Sequence, residues 1–201
     1  MNYLAHIFLS GKDKGVQLGN FVADAVKGNA YLNYPLAMQK GILLHRQIDS
    51  FSDAHPVVRE MVDRGRICFG RYSPVVIDVL LDYFLASDFE RYAHCSLRRF
   101  ALAFYWNLMW HYRNLPPRFQ HFMWHFILTD RLSCYATKRG IFRSLSIMVK
   151  YRGLQIDPQK TIDFLEIHEA EWRVGFKQFF PELEALCQRE FVRDATIMLN
   201  S

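Results

Sequence analysis

No stretch of this chain offers the ~18 to 20 consecutive uncharged apolar residues that a membrane span needs. The opening Met1-Asn-Tyr-Leu-Ala-His6 also lacks the basic start and unbroken apolar core of a signal peptide. A cytoplasmic protein with no membrane partner is therefore expected. Asn-Gly and Asp-Gly dipeptides are missing, and no segment alternates apolar and polar residues as a half-buried strand does, which argues against a sheet built on hairpins. Cys68, Cys95, Cys134 and Cys187 form no CxxC pair. That spacing excludes a zinc ribbon or thioredoxin-like motif and predicts reduced thiols. There is no low-complexity segment, solenoid repeat or long linker, so residues 1–201 are expected to form one domain. The basic residues are dispersed with no recognised motif, so nucleic acid is not an expected partner.

What the chain does have is material for a core: 51% of its residues are apolar and only 22% charged, a globular composition. Lys and Arg exceed Asp and Glu by 25 to 20, and this surplus favours an anionic partner. All seven prolines fall where a helix would begin, a position where the missing N–H costs nothing. Pro35, Pro56, Ser73-Pro74, Pro116-Pro117, Asp157-Pro158 and Pro181 each mark a start, Thr137 a cap, and Gly28 and Gly153 stops. Between these marks the apolar residues recur at helical spacing, including an inward set Ile162, Leu165, Ile167, Trp172, Phe176, Phe179 and Phe180. The fold class read from this is all-α, a single bundle of roughly eight to ten helices with short connections.

Polar groups interrupt this apolar pattern at four places. In Gly41-Ile-Leu-Leu-His45-Arg46-Gln-Ile-Asp49-Ser-Phe-Ser-Asp53-Ala-His55-Pro56, helical winding stacks His45, Asp49 and Asp53 on one stripe beside Arg46. Ile42, Leu43, Leu44, Ile48 and Phe51 supply the apolar remainder, so the stripe borders buried surface. His6, Asp24, and the pair Asp78 and Asp82 break three other apolar runs. Buried ionisable groups need partners or a cation, and an imidazole with a carboxylate one turn away can share a metal. Individually, Asp78 or Asp82 reads equally as a cap or a salt-bridge partner. Together the four segments predict a shared polar site.

The motifs Asn2-Tyr3-Leu4-Ala5-His6, Gly19-Asn20-Phe21-Val22-Ala23-Asp24, Gly41-Ile42-Leu43-Leu44-His45-Arg46-Gln47-Ile48-Asp49, Ser52-Asp53-Ala54-His55-Pro56 and Asp78-Val79-Leu80-Leu81-Asp82 resemble those of the acyl carrier protein phosphodiesterases. The resemblance runs in register along essentially the whole chain. It implies an atypical relative of the HD-domain phosphohydrolases that carries a divalent metal, manganese above all, with magnesium or iron as alternatives. It further implies holo-acyl carrier protein, an acidic protein, as substrate, cleaved to apo-carrier and free 4′-phosphopantetheine. Two departures stand out: Tyr83 where many relatives have histidine, and Arg131 where they have tryptophan.

On this reading His6, Asp24, His45, Asp49 and Asp82 are expected to hold the metal, with Asp78 alternate or in the surrounding shell. Asp24, Arg46 and His55 are the expected catalytic residues, Arg46 gripping the phosphate through its planar fork and His55 protonating the serine oxygen. Bland readings stay open beside these. His6 also fits a core histidine, Arg46 an ion-pair partner, and Asp53 and His55 caps for the helix that Pro56 opens. The aromatic band Phe104, Tyr105, Trp106, Trp110, Phe119, Phe122, Trp124 and Phe126 reads as core first and as a tunnel for the pantetheine arm second. Two other functions remain in play: an HD-like phosphohydrolase of a nucleotide or other small phosphoester, and a module that binds the carrier without cleaving it.

Overall fold

A computed structural model describes residues 1–199. Over these residues the chain winds into helices and no strand: α1 (Tyr3–Leu9), α2 (Lys14–Val22), α3 (Leu36–Ala54), α4 (Pro56–Phe69), α5 (Ser73–Ser87), α6 (Phe89–Ala93), α7 (Leu97–Trp110), α8 (Pro117–Leu128), α9 (Arg131–Cys134), α10 (Lys138–Arg152) and α11 (Pro158–Leu199). Short 3-10 turns at Ala23–Ala25, Gly28–Asn33, Gly70–Tyr72 and Tyr112–Asn114 make several of the connections. All four cysteines are free thiols.

The punctuation works largely as expected. Pro56, Pro74, Pro117 and Pro158 lie in first turns, and Pro35 precedes α3. The Thr137 hydroxyl accepts the Gly140 N–H at 3.1 Å, and Gly153 ends α10 at a φ of +68°. Four details differ. Gly28 opens the 3-10 turn Gly28–Asn33, because α2 already ends at Val22. Pro181 lies inside α11, because buried Phe176, Phe179, Phe180 and Leu183 on either side hold the helix through the lost hydrogen bond. Ile167, expected to face inward, is 76% exposed. Ser73 does not cap α5; its hydroxyl donates to the Val62 carbonyl at 2.6 Å.

α5 is the central rod. Val76, Ile77, Val79, Leu80, Leu81, Phe84 and Leu85 are almost wholly enclosed, with α1, α4, α10 and α11 packed around them. A second nucleus forms around Phe21, whose ring lies 5.1 to 6.2 Å from those of Tyr3, Phe104, Phe119, Phe122 and Phe126. Trp106, Trp110 and Trp124 leave the expected aromatic band for the surface, on the outward faces of α7 and α8.

The tightest junction joins α2 to α3. A Cβ on Gly19 would lie 2.0 Å from the Met38 carbonyl oxygen, and one on Gly41 would lie 2.1 Å from that of Val16 and 2.7 Å from the Asn20 nitrogen. The two backbones touch directly, which only glycine permits. Gly41→Ala is expected to cost about 1–3 kcal/mol or more, through overpacking that the neighbouring backbone cannot relieve. Gly153→Asn, at a left-handed helix end, should cost about 1 kcal/mol or less. Urea unfolding midpoints measured at constant m-value test the contrast.

Candidate metal centre

Helical spacing puts His45 and Asp49 on one face of α3, with His45 Nε2 3.1 Å from Asp49 Oδ2. α1 crosses this face and brings His6 Nε2 to 3.1 Å from Asp49 Oδ1. The two imidazoles stack with centroids 4.0 Å apart and planes inclined by 22°. One ligand atom from each of His6, His45 and Asp49 lies within 4.8 Å of the others, a grouping that could hold a metal ion. From the 3-10 turn after α2, Asp24 reaches in with Oδ1 3.4 Å from His45 Nε2.

Asn20 orients the site. Its side-chain nitrogen donates to the His6 carbonyl and to Ser10 Oγ, both at 2.9 Å. Its oxygen therefore faces His45 Nδ1, at 2.9 Å, and can only accept. The hydrogen of neutral His45 sits on Nδ1, and the Nε2 lone pair points at the acids. His6 Nδ1 is enclosed without a hydrogen-bond partner.

The electrostatics call for positive charge at this point. Burial alone would lower the His45 pKa, but hydrogen bonds to Asp24 and Asp49 more than offset it and raise the group to about 9. Burial pushes Asp49 up, yet hydrogen bonds from His45 and His6 hold it well below the usual carboxylate range. The His45 hydrogen bond likewise lowers Asp24. For His6 burial dominates and lowers the pKa, keeping that ring neutral. A divalent cation satisfies the same demand that otherwise draws a proton onto His45, and the mixed nitrogen and oxygen donors suit a borderline metal, so the residues fit such an ion.

Of the remaining expected site residues, Asp78 lines the cavity of the centre, while Asp82, Arg46 and His55 are engaged outside it. Asp82, fully buried, accepts the Leu4 N–H at 2.8 Å and those of Ala5 and Asn2 at 3.3 Å, capping the open end of α1. Burial pushes its pKa up to about 7 against those donors. Asp78 accepts from the Met1 amine at 3.0 Å. The capping and salt-bridge readings of this pair are the ones seen, because α5 packs under the start of α1. Arg46 donates to the carbonyls of Val26 and Gly28 at 3.1 and 2.8 Å and lies over the Tyr31 ring, which ties down the turn carrying Asp24. His55 takes the capping role too: Nδ1 accepts the Val57 N–H at 3.3 Å, and Nε2 faces Glu182 at 3.5 Å.

Asp53 is not a cap. It lines the same cavity as Asp49 and Asp78, and burial, then Asp78, raises its pKa. Tyr83 points away from the centre and donates to Glu169 of α11 at 2.6 Å, so this departure from the family pattern touches a helix clamp. The orienting role of Asn20 is the main feature that sequence reasoning missed; its only signal was an amide inside the α2 apolar stripe.

The centre opens into a cavity of about 330 Å³. A larger one of about 780 Å³, walled by α8 and α10, shares Tyr3, Asp24 and Met148 with it. His121 and His125 line this cleft.

Protein freed of divalent cations should show the His45 linkage directly. A raised folded pKa means that stability is fully present below pH 6.5 and is lost as pH rises through about 9. The depressed Asp49 gives the converse, stability present above pH 3.8 and lost as pH falls towards its folded value. These are the same ion pair seen from both partners. Thermal unfolding of chelated protein is expected to weaken between pH 6.5 and 9, and His45→Gln should flatten that decline.

A family model described as acyl carrier protein phosphodiesterase matches residues 1–183. A relative of that name from Yersinia pestis is 36% identical over 121 residues, an alignment spanning 60% of this chain and 63% of that protein. One from Serratia proteamaculans is 30% identical over 91% of this chain and 95% of its own, and one from Pectobacterium atrosepticum 28% identical over 94% and 99%. No solved structure gave a significant match. The chain belongs to the acyl carrier protein phosphodiesterase family.

Proposed function

We propose that this chain hydrolyses the phosphodiester joining 4′-phosphopantetheine to a serine of holo-acyl carrier protein, releasing apo-carrier and free 4′-phosphopantetheine. His6, His45, Asp49 and Asp24 are taken to hold the divalent ion, with manganese preferred over magnesium or iron. The observation that carries this reading is the convergence of two imidazoles and a carboxylate within 4.8 Å, in a chain of this family. When bound, the ion supplies Lewis-acid charge for phosphate oxygens and activates water near neutral pH.

The chain's own residues do the rest. Asn20 keeps the His45 lone pair aimed inward, and Arg46 secures the turn that presents Asp24. With His55 engaged as a cap, Asp53, which lines the same cavity as the donors without an imidazole partner, is the better candidate to protonate the departing serine oxygen. The surplus of five positive charges, with Arg98, Arg99, Arg113, Arg118, Arg139 and Arg143 exposed, suits an acidic carrier. Donors from α1, α3 and the turn after α2, and cleft walls from α8 and α10, support residues 1–201 working as one catalytic domain.

Release of 4′-phosphopantetheine from holo-carrier, measured against a nucleotide panel, tests the reading. Chelated protein should be inactive and regain turnover with Mn²⁺. Asn20→Ala should lower metal affinity about 10–100-fold, Asp49→Asn should abolish uptake, and Asp53→Asn should keep metal content while losing turnover. Full activity in chelator, or nucleotide turnover without release from the carrier, overturns the proposal.

A further inference from the structure

Arg131 is 6% exposed and lines the cleft of about 780 Å³. A guanidinium taken out of water normally has a carboxylate beside it, because an uncompensated buried charge is strongly destabilising. Among the described residues none pairs with this one. Its guanidinium donates from Nη2 to the Ser144 carbonyl at 3.1 Å and interacts with the Tyr135 side chain, its carbon centre 6.0 Å from that ring. Its remaining donors have no carboxylate acceptor and border the cleft. The neighbouring carboxylate is turned away: Asp130 accepts the Tyr105 hydroxyl at 2.9 Å, and that hydroxyl in turn accepts the Leu132 N–H at 3.0 Å. Asp130 also adopts a left-handed backbone, φ +44°, so the α8–α9 corner is held by a dedicated network in the conformation that keeps Arg131 inside.

The other charged or titratable groups facing the cleft are Arg118, His121 and His125 from α8, the phenols of Tyr3 and Tyr151, and Asp24 at the junction with the metal centre. Arg118, His121 and His125 are exposed; of the basic groups Arg131 is the buried one. Arg46, the obvious alternative for gripping an anion, does not line this cleft, and its Nη2 is held by two backbone carbonyls.

We infer that Arg131 is the oxyanion-binding residue of this cleft, its free guanidinium edge receiving a phosphate group of the ligand. A planar fork of donors in a water-poor wall matches two phosphate oxygens at once, which a lysine cannot do. The inference rests on the phosphodiester reading only for which phosphate is bound, since binding of the bare anion needs no metal and no turnover.

The test is calorimetric titration and thermal unfolding of chelated protein, with inorganic phosphate, free 4′-phosphopantetheine and unphosphorylated pantetheine as probes. Wild type should bind the two phosphate probes more tightly than pantetheine, and saturating phosphate should raise its Tm by about 2–4 °C. Arg131→Met, which keeps the bulk, should weaken both phosphate probes at least 10-fold, leave pantetheine unchanged and raise the Tm of the unliganded protein. Arg131→Lys, which keeps the charge without the fork, covers the case in which the methionine variant fails to fold and should weaken phosphate binding 3-fold or more. Arg118→Gln should change phosphate affinity less than either. Phosphate binding equal to wild type in Arg131→Met or Arg131→Lys overturns the inference, as does an Arg131→Met protein that is less stable yet gains the same Tm from phosphate. If instead phosphate binding follows the expectation while the holo-carrier is not cleaved, the oxyanion site stands and the phosphodiesterase reading fails.

Discussion

α2 and α3 touch backbone to backbone at Gly19 and Gly41, and the His45 side of the metal centre takes its position from that contact. Asn20 follows Gly19 directly, so the approach that forbids a Cβ is the approach that puts its amide 2.9 Å from His45 Nδ1. One helical turn beyond Asn20, the chain leaves α2 through a 3-10 turn and delivers Asp24 to the other ring nitrogen. A methyl group at either glycine would widen the helix pair, and both contacts would lengthen together. Such reciprocal packing makes the geometry of His45 a property of two helices rather than of one side chain.

The centre is assembled from parts that would repel or remain unpaired if they met without this framework. Four carboxylates, Asp24, Asp49, Asp53 and Asp78, share one rim with two imidazoles and the Met1 amine. Their balance is visible in opposite pKa directions: His45 rises, Asp49 and Asp24 fall, and Asp53, which lacks an imidazole partner, rises. Groups in one cavity whose proton affinities are driven apart are suited to divided labour, some binding charge and another carrying a proton. The surrounding polar residues each fasten one wall. Asp82 caps α1 and so fixes His6, Arg46 ties the Asp24 turn, and the Tyr105–Asp130 pair sets the corner that turns Arg131 inward.

A residue type in a pattern can serve the site or the scaffold, and several here serve the scaffold beside the site. Arg46, His55, Asp78 and Asp82 all lie within family motifs, yet their hydrogen bonds go mainly to backbone and to the chain's own amine. Arg131 is the converse. It lies outside the strongest motifs, noted in the sequence only as standing where relatives have tryptophan, and its burial without a counter-charge gives it a role.

Proline, glycine and the spacing of apolar residues determine the helices locally, and the one-turn separation of His45 and Asp49 determines that those two side chains meet. These are interactions within a single turn or two, so they are written in the order of residues. The failures come where packing overrides local rules: Pro181 is carried through α11 by the aromatic residues it separates, and the tryptophans of α7 and α8 face outward because Phe21 and its neighbours already fill the core. Whether Asp78 and Asp82 join the metal centre or brace α1 depends on the angle at which α5 passes beneath that helix. Equally, a lone arginine becomes an anion site only when the fold buries it and turns every carboxylate elsewhere. Such relations join residues from 13 to 80 positions apart, and distance through space is a quantity that only the tertiary structure decides.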